Sequence, residues 1–444
     1  MATQTLDGKI KKTPLERYAV VVILGILFFA RLLLLSELGP EYSLKSDDVS
    51  YVQSGITLAR TGVLTMHGTI SAQIMPGLPM VIAVFAKFLG SGRALWMALK
   101  LFYCFLGTMA AAYVYRAIRL FAPAWAAVIP LFFFFTPDFL WQDNLILTET
   151  PFMFLLASSL YHLMALGRTE EWRHFYFLLL SMVGGLLLKA QFIIFPLLAF
   201  LYLAVVGYDG NKMAPQAFLT LLAFLLVLAP WTVRNYRYFH SFIPLTYGVG
   251  NPLLLGTYQG EGFPEDEPEV YGEIRQRVQG EMVEKYGDDD GALPPYIQRY
   301  ALLEEDLAIA RYRQEKWWRE DPQSFLRSYL WLKPKSMFFK TFYWFEVIPG
   351  FKVWIEYFRQ VEFYFFIFTP LLALVARKWR RQIFFLVFLY FQQIYSYAMA
   401  YVFDRYAQTL LPIRYIVVGL GLALIAQILE RLRAGRKSKS IFEK

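Results

Sequence analysis

ERYAVVVILGILFFARLLLLSELGPEYSLKSDDVSY (residues 16–51) runs an apolar segment straight into two adjacent carboxylates. Its apolar part, 18–35, approaches the roughly 20 residues of helix that a bilayer requires. Lys9, Lys11, Lys12 and Arg17 precede it, and no small-residue cleavage site follows. It reads as a first transmembrane helix with its N-terminus inside, not as a removable signal. Asp47 and Asp48 then fall just outside this span. Carboxylates there are badly placed for packing and well placed for chemistry on a membrane-borne substrate.

Composition extends that reading to the whole chain. Of 444 residues, 57% are hydrophobic and 18% aromatic, with a mean hydropathy of +0.39. Only 18% are charged, against about 25% in soluble domains. The fold class expected is an all-α polytopic membrane protein. The net charge of +9 comes from short basic clusters between apolar runs, the pattern of cytoplasmic loops and not of a nucleic-acid surface. The single cysteine, Cys104, lies in an apolar stretch, so no disulfide framework is encoded.

Apolar runs near 18–37, 95–115, 122–136, 145–166, 174–188, 190–206, 214–231, 361–376, 382–400 and 408–429 predict about ten spans. Arg116 and Arg119, Arg168 and Arg173, Lys212, the run Arg377–Arg381 and the tail RLRAGRKSKS all fall on the side of the basic start. Both termini are therefore expected in the cytoplasm, with a bacterial plasma (inner) membrane as the expected location. Two shorter runs, 75–90 and 337–351, are broken by Pro, Gly or Lys and read as interfacial or re-entrant helices. The expected organisation is an N-terminal transmembrane module (1–231) with an outer catalytic loop near 36–93, an outer loop or lid (232–360), C-terminal spans (361–430) and a basic tail (431–444). Within the lid, EGFPEDEPE (261–269) is an acidic patch, GDDDG (287–291) a turn, and 295–320 a helix.

Five stretches could carry chemistry. In SDDVSY (46–51), Ser46 could cap a helix with Asp47 and Asp48 in its first turn, and Val49, Val52, Ile56, Leu58 and Ala59 would turn one face to the membrane surface. The alternative is that one aspartate acts as a general base, or that the pair holds a divalent cation. In LTETPF (147–152), Glu149 stands at the start of a span, where a carboxylate needs a cavity or a partner, although a helix start beside Pro151 is the plainer role. Asp138 and Asp143 nearby read as loop residues. Lys189 falls at a turn between two spans, either snorkelling or facing a lipid phosphate. Arg234 follows Pro230 and Trp231 at a span end, an interfacial anchor or a bidentate phosphate partner. Arg405 enters the last span beside Asp404, its plain ion-pair partner. Tyr51, Asn235 and Tyr406 adjoin these charges and complete the candidate set. All of them fall on the non-cytoplasmic side in this topology.

Taken in order, SDDVSYVQSGITLARTG, MPGLPMVIAVF, ILTETPFMFLL, GLLLKAQFIIFPLL, PWTVRNYRYFHSFIPLTYGVGNPLLLG and RYAQTLLP resemble the GT-C superfamily of membrane glycosyltransferases. The likeness is to the family 39 and aminoarabinose-transferase-like branch, relatives of protein O-mannosyltransferases, and covers most of 15–430. It implies a GT-C-like bundle with juxtamembrane helices. It also implies transfer of a sugar from a polyprenyl-phosphate donor to an acceptor lipid, glycan or protein at the non-cytoplasmic face, usually with inversion. On this resemblance Asp47 or Asp48 is the base or a metal-associated acid, and Glu149 a second acid of the site. Lys189, Arg234 and Arg405 are its donor-phosphate cations. Gln73-Ile74-Met75 departs from the pattern, since relatives often carry a polar or histidine residue and paired prolines there. The competing classes are a flippase or transporter of lipid-linked saccharides, disfavoured by the lack of internal repeats, and a lipid-linked glycan ligase.

Overall fold

The computed structural model describes residues 14–262 and 264–442. Lys9, Lys11 and Lys12 of the basic start lie outside these residues, as do the side chains of the basic tail from 434 onward. The chain is helical almost throughout. Helix α1 (Pro14–Leu38) ends before Gly39, and α2 (Asp47–Thr61) begins at the paired acids. Gly62, at φ 73°, closes α2 by donating its N–H to the Leu58 carbonyl, the left-handed helix end that glycine permits. A hairpin of β1 (Thr65–Met66) and β2 (Thr69–Ile70) follows.

The 75–90 run is α3 (Gly77–Leu89), too short to cross a membrane unaided. Its Leu78 and Ile82 pack on Val52 and Ile56 of α2. Then come α4 (Arg93–Arg119), α5 (Ala124–Phe132), the one-and-a-half-turn α6 (Pro137–Gln142), α7 (Glu149–Thr169), α8 (Trp172–Leu188), α9 (Phe195–Val206) and α10 (Gly210–Phe239). Helix α10 runs eight residues past the expected end at 231. It thereby carries Arg234 and Asn235 on helix rather than loop.

The segment expected as a lid is mostly helical: α11 (Gly250–Gly256), α12 (Pro268–Tyr286), α13 (Pro295–Glu320), α14 (Pro322–Arg327) and α15 (Lys333–Phe339). Both α12 and α13 start on proline, whose missing N–H costs nothing in a first turn. Two acids of the acidic patch pair with α13: Arg313 Nη1 lies 2.7 Å from Asp266, and Lys316 pairs with Glu267. Helix α16 (Phe351–Ala376) starts ten residues before the expected span, so the end of the 337–351 run is a turn into a long helix. The chain finishes with α17 (Arg380–Ala398), α18 (Asp404–Thr409) and α19 (Leu411–Phe442).

Each of the ten expected spans is helical, and among the described residues six helices are long and apolar enough to cross a membrane. This is an integral membrane protein. Helices α7 and α19 are its buried centre, whereas α1 exposes Val21, Val22, Ile26 and Phe29, as a lipid-facing helix does. Since lipid is as apolar as these side chains, polar contacts and close packing must hold the helices in register.

Here Asp138 and Asp143 correct their reading as loop residues. Both are fully buried. Asp143 accepts from Arg31 Nε of α1 at 2.5 Å and from Thr150 Oγ1 at 2.7 Å. Gly107 makes room for it: a Cβ there would stand 2.0 Å from the carboxylate. Asp138 accepts from Arg359 Nη2 of α16 at 2.8 Å and from Thr341 Oγ1 at 2.6 Å. The chain of charges continues through Glu362 to Arg414 of α19, 3.0 Å apart. These pairs lock α1, α6, α7, α16 and α19 around the site.

Candidate functional site

Four of the proposed charges meet at one end of the bundle. The first turn of α2 puts Asp47 Oδ2 2.8 Å from Arg405 Nη2 of α18. Arg405 Nε in turn lies 3.7 Å from Glu149 Oε1, the first residue of α7. Lys189 Nζ donates to the same Glu149 oxygen at 3.3 Å. Lys189 arrives there because α8 breaks at it: the residue is extended (φ −139°, ψ 115°) before a 3-10 turn over 190–194. That break is braced by α3, where a Cβ on Gly77 would meet the Leu187 carbonyl at 2.5 Å. Only glycine lets the two chains approach so closely.

Glu149, Lys189 and Arg405 line a cavity of about 390 Å³, together with Tyr51, Tyr397 and Tyr406. Lys189 Nζ sits 4.7 Å from the centre of the Tyr406 ring, a cation–π contact that adds to the ion pair. Tyr397 stacks on Tyr406 with centroids 4.5 Å apart. Burial, then Glu149 and Asp47, push the Tyr51 phenol above its ordinary range. Burial opposes the charge on Arg405, but Glu149, Tyr406 and Asp47 outweigh it and raise its pKa. Arg405 is therefore a permanent cation. Its Nε has no hydrogen-bond acceptor, which leaves a donor facing the carboxylate side of the site.

Asp48, Arg234 and Asn235 stand elsewhere. One step along a helix turns a side chain by about 100°, and Asp48 faces its own loop. Its carboxylate accepts from the backbone N–H of Leu44 (2.7 Å), Ser46 (3.1 Å) and Val49 (3.0 Å). Ser46 occupies the cap position but makes no side-chain capping bond; Asp48 gathers the N–H groups instead. Arg234 donates to the carbonyls of Ser71 (2.7 Å) and Leu64 (3.0 Å), and Asn235 Nδ2 to that of Ile243 (2.9 Å). Both hold backbone rather than face the cavity. Arg234 still matters to it, because the strand it pins leads into Gln73, Ile74 and Met75, which line the wall.

Asp47 and Asp48 do not form a shared divalent-cation site, since Asp48 is taken up by backbone N–H groups. The two aspartates diverge, and the free carboxylates, Asp47 and Glu149, are already matched by Arg405 and Lys189. Among the described residues no three His, Cys, Asp or Glu side chains converge to hold a metal.

Sequence reasoning missed Tyr397, Tyr401 and Gln191, all in the cavity wall. The polar run QQIYSY (392–397) closing an apolar helix was the available signal.

The helical bundle, with its charged cavity at one end and the short α2 and α3 beside it, shares its fold with solved oligosaccharyltransferase structures. No protein-family model and no curated protein sequence matches the chain; the likeness lies in structure. The archaeal oligosaccharyltransferase AglB from Archaeoglobus fulgidus, in complex with an inhibitory peptide and a dolichol-phosphate, matches with a TM-score of 0.54 at 15% identity, over 96% of this chain and 52% of that one. The apo form of the Archaeoglobus fulgidus enzyme matches at 0.55 and 15% identity, over 96% and 53%. ArnT from Cupriavidus metallidurans, bound to undecaprenyl phosphate, matches at 0.42 and 13% identity, over 91% and 77%. The chain thus spans about half the length of the oligosaccharyltransferase chains it matches.

Proposed function

We propose that this protein is a glycosyltransferase that moves a hexose or pentose from a polyprenyl-phosphate donor to an acceptor hydroxyl, with inversion, at the non-cytoplasmic face of a plasma membrane. The observation that carries the reading is the chain Asp47–Arg405–Glu149–Lys189, whose last three members line one cavity and whose first reaches it through Arg405. The fold shared with a dolichol-phosphate-bound enzyme supports the donor class.

In this mechanism the donor phosphate displaces part of the hold that Glu149 has on Arg405 and Lys189. Asp47, about one-third exposed, takes the proton of the acceptor hydroxyl. The hydroxyl oxygen forms its bond to the anomeric carbon from the face opposite the phosphate. The anomeric C–O bond breaks, and its electron pair leaves with the lipid phosphate. Arg405 and Lys189 stabilise the charge that grows there, the electrostatic contribution that usually dominates. Glu149 keeps the two cations apart and aimed.

The test supplies radiolabelled polyprenyl-phosphate sugar, with a lipid or peptide acceptor, to the purified protein in vesicles. Transfer to acceptor is expected, falling about 10²–10⁴-fold in Asp47→Asn, the usual range for a lost general base. Label that crosses the vesicle wall without changing carrier would instead establish a transporter. Wild-type transfer rates in Asp47→Asn would remove Asp47 as the base.

A further inference from the structure

The segment RKWRR (377–381), which spans the turn from α16 into the start of α17, is the most basic short segment among the described residues, and the mechanism makes no use of it. Arg377 (φ 55°) and Trp379 (φ 50°) both adopt the left-handed region without being glycine. Such backbone persists only where the surroundings hold it, and it clusters at functional sites. Arg377, Lys378, Arg380 and Arg381 are all exposed. Among the described residues none of the four forms an ion pair. Arg381 donates only to the Val206 carbonyl, at 3.3 Å.

Beside this turn opens a second cavity, of about 660 Å³, between α9 and α17. Arg377, Arg380 and Arg381 form its lip. Its wall is apolar and open to the outside: Leu201, Val205, Phe384 and Phe388 are each about half exposed. Tyr202 backs it, buried and in ring contact with Phe385 at 4.6 Å. Helix α17 separates the two cavities. Tyr397, near its end, lines the transfer site, whereas Arg380 starts it, so the two sites lie roughly 25 Å apart along the axis, at 1.5 Å per residue.

We infer that the cavity between α9 and α17 binds one anionic phospholipid of the leaflet opposite the transfer site. The head-group phosphate sits among Arg377, Arg380 and Arg381, and an acyl chain lies on Leu201, Val205, Phe384 and Phe388. Charge and shape both select this occupant. Guanidinium groups hold phosphate bidentately, and basic pockets between membrane helices take acidic head groups. A soluble anion would satisfy the lip and leave the half-exposed apolar wall bare. A zwitterionic lipid would bring a second cation to a lip that has three without carboxylate partners.

Native mass spectrometry of the full-length protein in zwitterionic detergent, with added phosphatidylglycerol or phosphatidylcholine, tests this. One phosphatidylglycerol is expected to remain bound with an affinity at least tenfold above that of phosphatidylcholine, and Arg380→Gln/Arg381→Gln should abolish that preference while sugar transfer is unchanged. Equal retention of the two lipids by the wild type would overturn the proposal whether or not the variant folds. So would a preference that survives in a folded variant, or displacement of phosphatidylglycerol by equimolar glycerol phosphate, which would mark a site for a soluble anion.

Discussion

Two ionic clusters in this molecule use the same residue types to opposite ends. In the lattice below the site, Arg31–Asp143 and Asp138–Arg359 close at 2.5 and 2.8 Å, with their side chains at most 1% exposed. Around the cavity, Lys189–Glu149 and Arg405–Glu149 stand at 3.3 and 3.7 Å, and Asp47–Arg405 closes at 2.8 Å with Asp47 36% exposed. Tight contacts in a closed environment fix helices relative to one another. Contacts beside a 390 Å³ cavity leave space next to the two cations. What separates the two clusters is the open space next to the charge, not the charge itself.

The largest expected effect comes from breaking the lattice. Removing one partner of a buried pair leaves an uncompensated charge, at a cost of about 3–5 kcal/mol. Asp143→Ala, which strands Arg31, should therefore lower the unfolding midpoint sharply in detergent. Replacing the pair together, as Arg31→Met with Asp143→Leu, should recover most of the loss, since the charges contribute position more than net stability. Equal destabilisation by the single and double variants would show that the pair is not a unit.

A step smaller is the loss of either cation at the cavity. Arg405→Gln or Lys189→Met should reduce transfer by about 10²–10³-fold, the size found when one preorganised donor to a developing oxyanion is removed. Unfolding midpoints should move little, because the remaining cation still faces Glu149. Lys189→Arg should recover part of the rate and Lys189→Met none. A fall in stability as large as that of Asp143→Ala would place Lys189 with the lattice instead.

How far the sequence discloses these clusters follows from the range of the interactions. Helix α13 matches its expected bounds because proline, charge and turn signals are local. Asp47, Glu149, Lys189 and Arg405 could be chosen because each sits at the end of an apolar run, where a charge lacks a packing role. Their meeting was implied only by a common membrane side and by the GT-C resemblance, since Asp47 and Arg405 are 358 residues apart. The lattice was overlooked for the same reason: Asp138 finds Arg359 across 221 residues, and Asp143 finds Arg31 across 112. The legible part of that lattice was Arg31 and Arg414 inside apolar segments, since an ionisable residue at such depth needs a partner.

The smallest effect divides the two aspartates with which the motif began. Adjacent on one helix turn, they face different partners: Asp47 opens toward Arg405, whereas Asp48 is buried under three backbone N–H groups. Asparagine keeps one acceptor oxygen of Asp48 and replaces the other with a donor, so at least one loop N–H loses its partner. That costs about 1–3 kcal/mol. Asp48→Asn should thus lower the unfolding midpoint modestly and keep transfer per folded molecule within a few-fold of wild type, the reverse of Asp47→Asn. Rates from both variants, normalised to the folded fraction, decide between them. If Asp48→Asn loses transfer without losing stability, the loop it holds reports directly on the reacting atoms, and the division of labour between neighbouring carboxylates fails.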